Sequence, residues 1–291
     1  MIPCIPDEGT IHTAMSLAAR APSFHDCQPW LWRLANDGLH LYADTDQRGA
    51  ETDMESRNVL LSCGASLHHC VVALAALGWR AKIRWLPDAA EPEHLAALEL
   101  NPHPASALDV MLASAIPRQR DDWRPYSSWA VSAADIALIG ARAAGVGVTT
   151  RRVETLSEVQ HVVAQAVSRH AMGSAEATRD ERDVTFAESQ AAEDYGVVLA
   201  LGTRDDTRLA RLRAGQAMSL ALLSATALGL ATCLITEPLA SAETRDALHD
   251  NLFNIVGFPQ ILLRIGWPPV GADPLPLSGT TADSGRLPVA G

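Results

Sequence analysis

Between Ala21 and Trp32 the chain reads Ala-Pro-Ser-Phe-His-Asp-Cys-Gln-Pro-Trp-Leu-Trp, setting a hydroxyl, an imidazole, a carboxylate, a thiol and an amide between two prolines. Pro22 and Pro29 fix their own φ and push Ala21 and Gln28 away from helix, so the centre is an ordered loop that presents side chains and backbone N–H groups. That is the chemistry of holding a ligand. The plain alternative is a helix end running into a strand whose Trp30 and Trp32 fill core. A second constellation, Arg118-Gln119-Arg120-Asp121-Asp122-Trp123-Arg124, offers three guanidinium groups to an anion, although a run of Arg is more often a solvated face. Thr236, which follows Leu234 and Ile235 and precedes Pro238 by two residues, adds a hydroxyl at a strand exit.

Other chemistries fit less well. His25 and Cys27 are near neighbours on one loop and rarely face each other productively, which disfavours a nucleophile pair. His68 and His69 have no carboxylate or further His one turn away, so no metal site is expected and helix-interface histidines fit better. Cys4, Cys27, Cys63, Cys70 and Cys233 form no Cys-x-x-Cys pair and are odd in number, which points to a reducing, cytoplasmic setting. Met1 to Glu8 has no basic start and no apolar run, so no secretory signal is expected. No Gly-rich dinucleotide or nucleotide-phosphate loop occurs.

The elements that must position these residues come from a large core, since 291 residues with 48 % hydrophobic content can bury one. A net charge of −11 lacks the basic stripe a nucleic acid needs, so small-molecule partners are expected. Asn58 to Trp79 and Ala214 to Thr236 carry no formal charge and are long enough to span a membrane. Their Ser, Cys, His, Thr and Ala content argues for buried helices instead. Gly64-Ala65-Ser66-Leu67 with Ala76-Leu77-Gly78 recurs, at the same spacing, as Gly215-Gln216-Ala217-Met218 with Ala227-Leu228-Gly229. Each copy predicts a central helix ended by a left-handed Gly and followed by a strand, Arg80 to Leu86 or Ala231 to Ile235. Further strands are expected at Trp30 to Leu34, Leu39 to Ala43, Gly147 to Val153, Tyr195 to Leu201 and Phe258 to Trp267. Helices are expected at Thr10 to Arg20, Val131 to Gly140 and Ser157 to Arg169.

The loop resembles the Ala-Pro-Ser-x-x-Asn-x-Gln-Pro-Trp signature of the nitroreductase family, flavoproteins that bind FMN where two subunits meet. The duplication is similar to the Acg-like branch of that family, in which one chain holds two nitroreductase-like halves and which is associated with FMN sequestration. The resemblance implies an α+β nitroreductase-like fold of two pseudo-symmetric halves with long central helices and antiparallel sheets. The halves would be residues 1–113 and 114–291, the second carrying a possible lid at 170–194 and a Pro/Gly-rich tail at 268–291. It further implies one composite site, because only the first half has the Pro-Ser loop and only the second has the Arg-rich opening ending in Arg-Pro-Tyr. Pro22, Ser23 and Asp26 would touch the flavin, Arg118 and Arg120 its phosphate with Arg124 in reserve, and Leu234, Ile235 and Thr236 the face carrying N5. The chain would be a monomer mimicking a dimer, with further dimerisation open.

Two departures bear on the cofactor. Asp26 stands where the family has Asn, and an ionised carboxylate cannot donate the hydrogen bond an amide gives to a flavin carbonyl. The family's C-terminal phosphate cations are missing from Pro274 to Thr281, so a weakened phosphate clamp is expected. The readings in competition are an FMN-dependent oxidoreductase with NAD(P)H as reductant, a protein that sequesters FMN without turnover, and a biosynthetic enzyme that has abandoned FMN.

Overall fold

The computed structural model describes residues 5–24, 27–44, 53–153, 196–252 and 257–271. The expected helix at Ser157 to Arg169, the lid at 170–194 and the tail from residue 272 onward lie outside them, as do His25 and Asp26. Helices and strands are segregated into antiparallel sheets and packed helices, an α+β architecture. The chain divides into two compact units, one taking the chain through Gln119 together with Thr207–Ala227, the other Arg120–Asp206 with Leu228–Ser278.

In the first unit, helix α1 (Glu8–Ala18) starts on Asp7, whose carboxylate accepts from the Thr10 N–H at 2.9 Å and from the Thr10 hydroxyl at 2.8 Å. Such an N-cap contributes about 1 kcal/mol. Strands β1 (Trp30–Ala35) and β2 (Gly38–Ala43) form a hairpin, followed by the 24-residue helix α2 (Asp53–Ala76). Gly78 closes α2 at φ +87°, as its position in the repeat predicts. Strands β3 (Trp79–Trp85) and β4 (His94–Pro102) complete a sheet in the order β1-β2-β4-β3. Helix α3 (Ala107–Ala115) begins with a Ser106/Asp109 capping box and runs into a 3-10 turn at Ile116–Arg118. Leu39, Leu41, Leu67, Leu74, Leu95 and Leu98 are fully buried in the core between α2 and this sheet.

The second unit contains helix α4 (Ala133–Gly145) and strands β5 (Thr149–Val153) and β6 (Val197–Thr203). The chain then passes through α5 (Arg208–Ala227), a helix that packs in the first unit, and returns as β7 (Ala231–Ile235), α6 (Ala242–Leu252) and β8 (Phe258–Gly266). The sheet order is β5-β6-β8-β7, and Gly229 ends α5 at φ +83°. Element for element, this repeats the first sheet: an outer strand, its hairpin or crossover partner, a long helix, and a pair that closes with its first member at the edge. The internal repeat is therefore a repeat of topology.

Its two long helices meet inside the first unit, and they touch at the repeated glycines. A Cβ on Gly64 would stand 2.1 Å from the Leu212 carbonyl oxygen, and one on Gly215 would stand 2.1 Å from that of Leu61. Only hydrogen fits at this crossing. One turn further, His68 Nδ1 lies 2.7 Å from the Ser219 hydroxyl and His69 Nδ1 lies 2.9 Å from it. The segment Ser56–Ala76 is long and apolar enough to cross a membrane, yet most of it is buried against protein. The expectation of a packed core helix agrees with that placement.

Candidate functional site

The loop after α1 is fixed from both ends. Ala21 N–H donates to Ala18 O at 3.1 Å, and Phe24 N–H reaches the Ser62 hydroxyl of α2 at 3.1 Å, which itself donates to Asn58 O at 2.8 Å. The Cys63 thiol donates to Pro29 O at 3.1 Å, and Trp32 Nε1–H donates to the Ser66 hydroxyl at 3.1 Å. Ser62, Cys63 and Ser66 are wholly buried. These small polar residues give the charge-free part of the helix the donors and acceptors that anchor the loop, a role not legible from the sequence.

Within the loop, Gln28 adopts φ +46°, left-handed for a non-glycine residue. Its N–H donates to Ser23 Oγ at 3.3 Å, its side-chain amide donates to Ala19 O at 3.3 Å, and its carbonyl accepts from Trp30 N–H at 2.8 Å. Ser23 Oγ thus already accepts one bond and keeps its own proton to donate. Pro22 and Ser23 are half-buried. Arg20, just ahead of them, buries its Nε without a hydrogen-bond partner among the described residues. No pattern in the sequence singled out this cation.

Burial drives His68 down to about 3 and His69 down to about 4, the latter aided by the Arg20 charge, so both imidazoles are neutral.

The Arg-rich stretch is split. Arg118 lies exposed at the end of the 3-10 turn in the first unit and donates from Nε to Ser114 O at 3.1 Å. Arg120 belongs to the second unit, where the chain from Arg120 to Asp122 runs beside β7: Asp121 bridges Thr232 in parallel, and Asp122 N–H donates to Thr232 O at 2.8 Å. Arg120 thus precedes a segment that pairs with β7, the strand whose exit carries Leu234, Ile235 and Thr236. Strand β7 is the edge of its sheet among the described residues, where no second ladder takes up its backbone beyond Thr232. Leu234 and Ile235 are buried, and Ile235 sits in the core of its unit with Val198, Leu239 and Leu262, so these two can serve a ligand through backbone groups only. Thr236 is half-buried.

Arg124, the reserve cation, is committed elsewhere. Its Nε and terminal nitrogen contact the Asp122 carboxylate at 2.9 and 2.7 Å. Hydrogen bonding and charge from Arg124 hold Asp122 below the usual carboxylate range despite a burial penalty that is the largest single effect. Buried Arg264 of β8 donates to Asp122 O at 3.1 Å and to Arg124 O at 2.8 Å, and lies 4.1 Å over the Tyr126 ring. Tyr126 fills the space left by Gly266, where a Cβ would meet the ring at 2.2 Å. The Arg-Pro-Tyr ending is therefore a structural clasp. Arg264, inside an apolar strand, gave no sign of it in the sequence.

With this geometry in hand, comparison with known proteins is informative. Residues 117–267, more than half the chain, match the nitroreductase family model. A Mycobacterium tuberculosis H37Rv protein provisionally named an NAD(P)H nitroreductase, Rv3131, is 44 % identical over 311 residues, covering 93 % of this chain and 89 % of that one. The Acg protein of the same organism, also provisionally named an NAD(P)H nitroreductase, is 29 % identical over 309 residues, covering 91 % of each chain. An FMN-bound nitroreductase from Bacteroides fragilis is 15 % identical with a TM-score of 0.42, covering 58 % of this chain and 96 % of that one. The chain belongs to the nitroreductase family.

Proposed function

We propose that the protein is an FMN-dependent oxidoreductase that takes reducing equivalents from NAD(P)H and uses one flavin per chain. The observation that carries the reading is the Pro22–Gln28 loop. A non-glycine residue is held left-handed there, at a cost of about 1–2 kcal/mol, by the bonds Gln28 makes with Ser23, Ala19 and Trp30. Backbone strain of this kind clusters at sites that clamp ligands. Family membership, and relatives bearing NAD(P)H nitroreductase names, supply the chemistry.

The residues fit the group. FMN needs cations for its phosphate, donors for its pyrimidine carbonyls and backbone groups along the ring edge. Ser23 keeps a hydroxyl proton it could donate to a carbonyl, Arg118 and Arg120 would supply guanidinium groups to the phosphate, and the β7 exit at Leu234–Thr236 would supply edge-strand backbone. Asp26 would add a contact to the flavin, as the family resemblance of its loop implies. Bound FMN would accept and pass on hydride; the chain's part is to orient the ring and keep solvent from it. The dimer mimicry read from the duplication and the cytoplasmic setting read from the cysteines belong to the same proposal.

Anaerobic NADPH titration of the FMN-loaded protein tests it, followed by the flavin absorbance in the blue. Bleaching is the expected result. A yellow protein that no pyridine nucleotide bleaches would turn the reading to sequestration, and a protein that FMN cannot tint would end both.

A further inference from the structure

On the outer side of the first sheet, away from the loop and both long helices, two imidazoles from different strands meet. His40 of β2 and His94 of β4 bring Nδ1 and Nε2 to 3.0 Å, with ring centroids 5.0 Å apart. The register explains the meeting. His40 pairs with Ala97, but a bulge between Leu41 and Tyr42 shifts the ladder so that His94 falls opposite Tyr42 and leans toward His40. His94 then stacks on Tyr42 at 4.4 Å, and Arg33 caps the far face of Tyr42 at 4.5 Å. Both imidazoles are thus oriented by packing.

The second nitrogen of His40 decides what the first can do. His40 Nε2 lies 2.9 Å from the Asp37 carboxylate, which Arg84 also holds at 3.2 Å. A carboxylate only accepts, so Nε2 carries the proton and Nδ1 accepts from His94 Nε2–H in the metal-free protein; a cation taking that hydrogen's place requires the His94 proton to move to its own Nδ1, the other tautomer of a neutral imidazole. That carboxylate–imidazole arrangement is the usual outer support of a metal-binding histidine.

We propose that His40 Nδ1 and His94 Nε2 form a two-imidazole chelate for a late first-row divalent cation of tetragonal preference, Cu²⁺ above Ni²⁺. Two nitrogens 3.0 Å apart, each about 2.0–2.1 Å from a metal, subtend roughly 95° at it. That is close to the right angle of a square-planar or tetragonal site and narrower than a tetrahedral one, which selects Cu²⁺ and Ni²⁺ over Zn²⁺. Among the described residues no group of three His, Cys, Asp or Glu has ligand spacing, so water fills the remaining positions and the site is an exchangeable one. The His40 side chain keeps 12 % exposure and Asp37 58 %, leaving a way in from solvent.

The test uses the untagged full chain, free of FMN, titrated with Cu²⁺ against glycine as competitor, with electron paramagnetic resonance of the loaded protein. One site per chain with nitrogen superhyperfine splitting is expected. His40→Gln and His94→Gln should each weaken it by at least about 10-fold, and Asp37→Asn by about 10-fold or more through loss of outer support. Thermal melts of the apo variants check folding, and should the His94 variant not fold, the half-exposed Asp37 and the His40 variants decide alone. Unchanged affinity and splitting in those variants, or no Cu²⁺ taken up against glycine, would reduce the pair to a shared-proton hydrogen bond and overturn the proposal.

Discussion

Ser23 and Arg120 illustrate how little of a residue's role its type declares. Ser23 Oγ accepts the Gln28 N–H, so it shapes the loop as well as offering a donor. Arg120 is laid against Thr232 by the bridge at Asp121, whereas Arg124, equally basic in the sequence, is neutralised by Asp122. Substituting Arg120 by Gln should raise the FMN dissociation constant about ten- to a hundred-fold and leave riboflavin affinity unchanged, because only the proposed phosphate contact would be lost. Equal weakening of both ligands, read by fluorescence quenching, would place Arg120 elsewhere. The same substitution at Arg124 should instead lower stability, since it leaves the buried Asp122 carboxylate without its ion partner. The loop and the Arg run were visible in the sequence because prolines and charge clusters stand out locally. Arg20, Arg264 and the buried Ser62 and Ser66 were not, because their meaning depends on partners far along the chain.

The long helices carry the most specific stability forecasts. Gly64→Ala places a methyl 2.1 Å from a backbone oxygen that no rotamer change can move, so the helices must separate. Thermal denaturation should show a loss at the upper end of overpacking costs, about 3 kcal/mol or more, with Gly215→Ala matching it. A second forecast concerns acid. His68 and His69 titrate well below their unfolded value of about 6.5, so as pH falls through 6.5 the unfolded chain takes up protons that the native one refuses. Stability from these residues is present above that value and drains away down to the native values near 4 and 3. Replacing both by Asn should flatten the slope of unfolding free energy between pH 6 and 4 by about 2.7 kcal/mol per pH unit, measured by urea titration. An unaltered slope would mean that the imidazoles open to solvent. The helices were legible from their charge-free length and terminal glycines. Strand β4 (His94–Pro102) was not, because His-Leu-Ala-Ala-Leu-Glu-Leu is built from helix formers and becomes a strand only by lying between β2 and β3. Strand β3 ends one residue early, at Trp85, because Leu86 turns left-handed at φ +45°.

At the scale of the molecule, one chain carries the same sheet order twice and brings the two repeated glycines into contact. The spacing of a short motif was enough to announce that duplication. The repeat is nevertheless unequal: the first copy has the eleven-residue connection from Ala19 to Pro29 between helix and strand, while the second passes from Gly145 to Thr149 in a tight turn at Gly147. If the long connection is what holds a flavin, the shorter one has nothing to hold it with, and a duplicated fold should carry an unduplicated cofactor. The direct measurement is the number of FMN molecules bound per chain at saturation, from absorbance of the loaded protein against its amino-acid analysis. The account predicts one. A value of two would show that the inequality of the repeats is irrelevant to the site, and a value of zero would remove the flavin from this chain altogether.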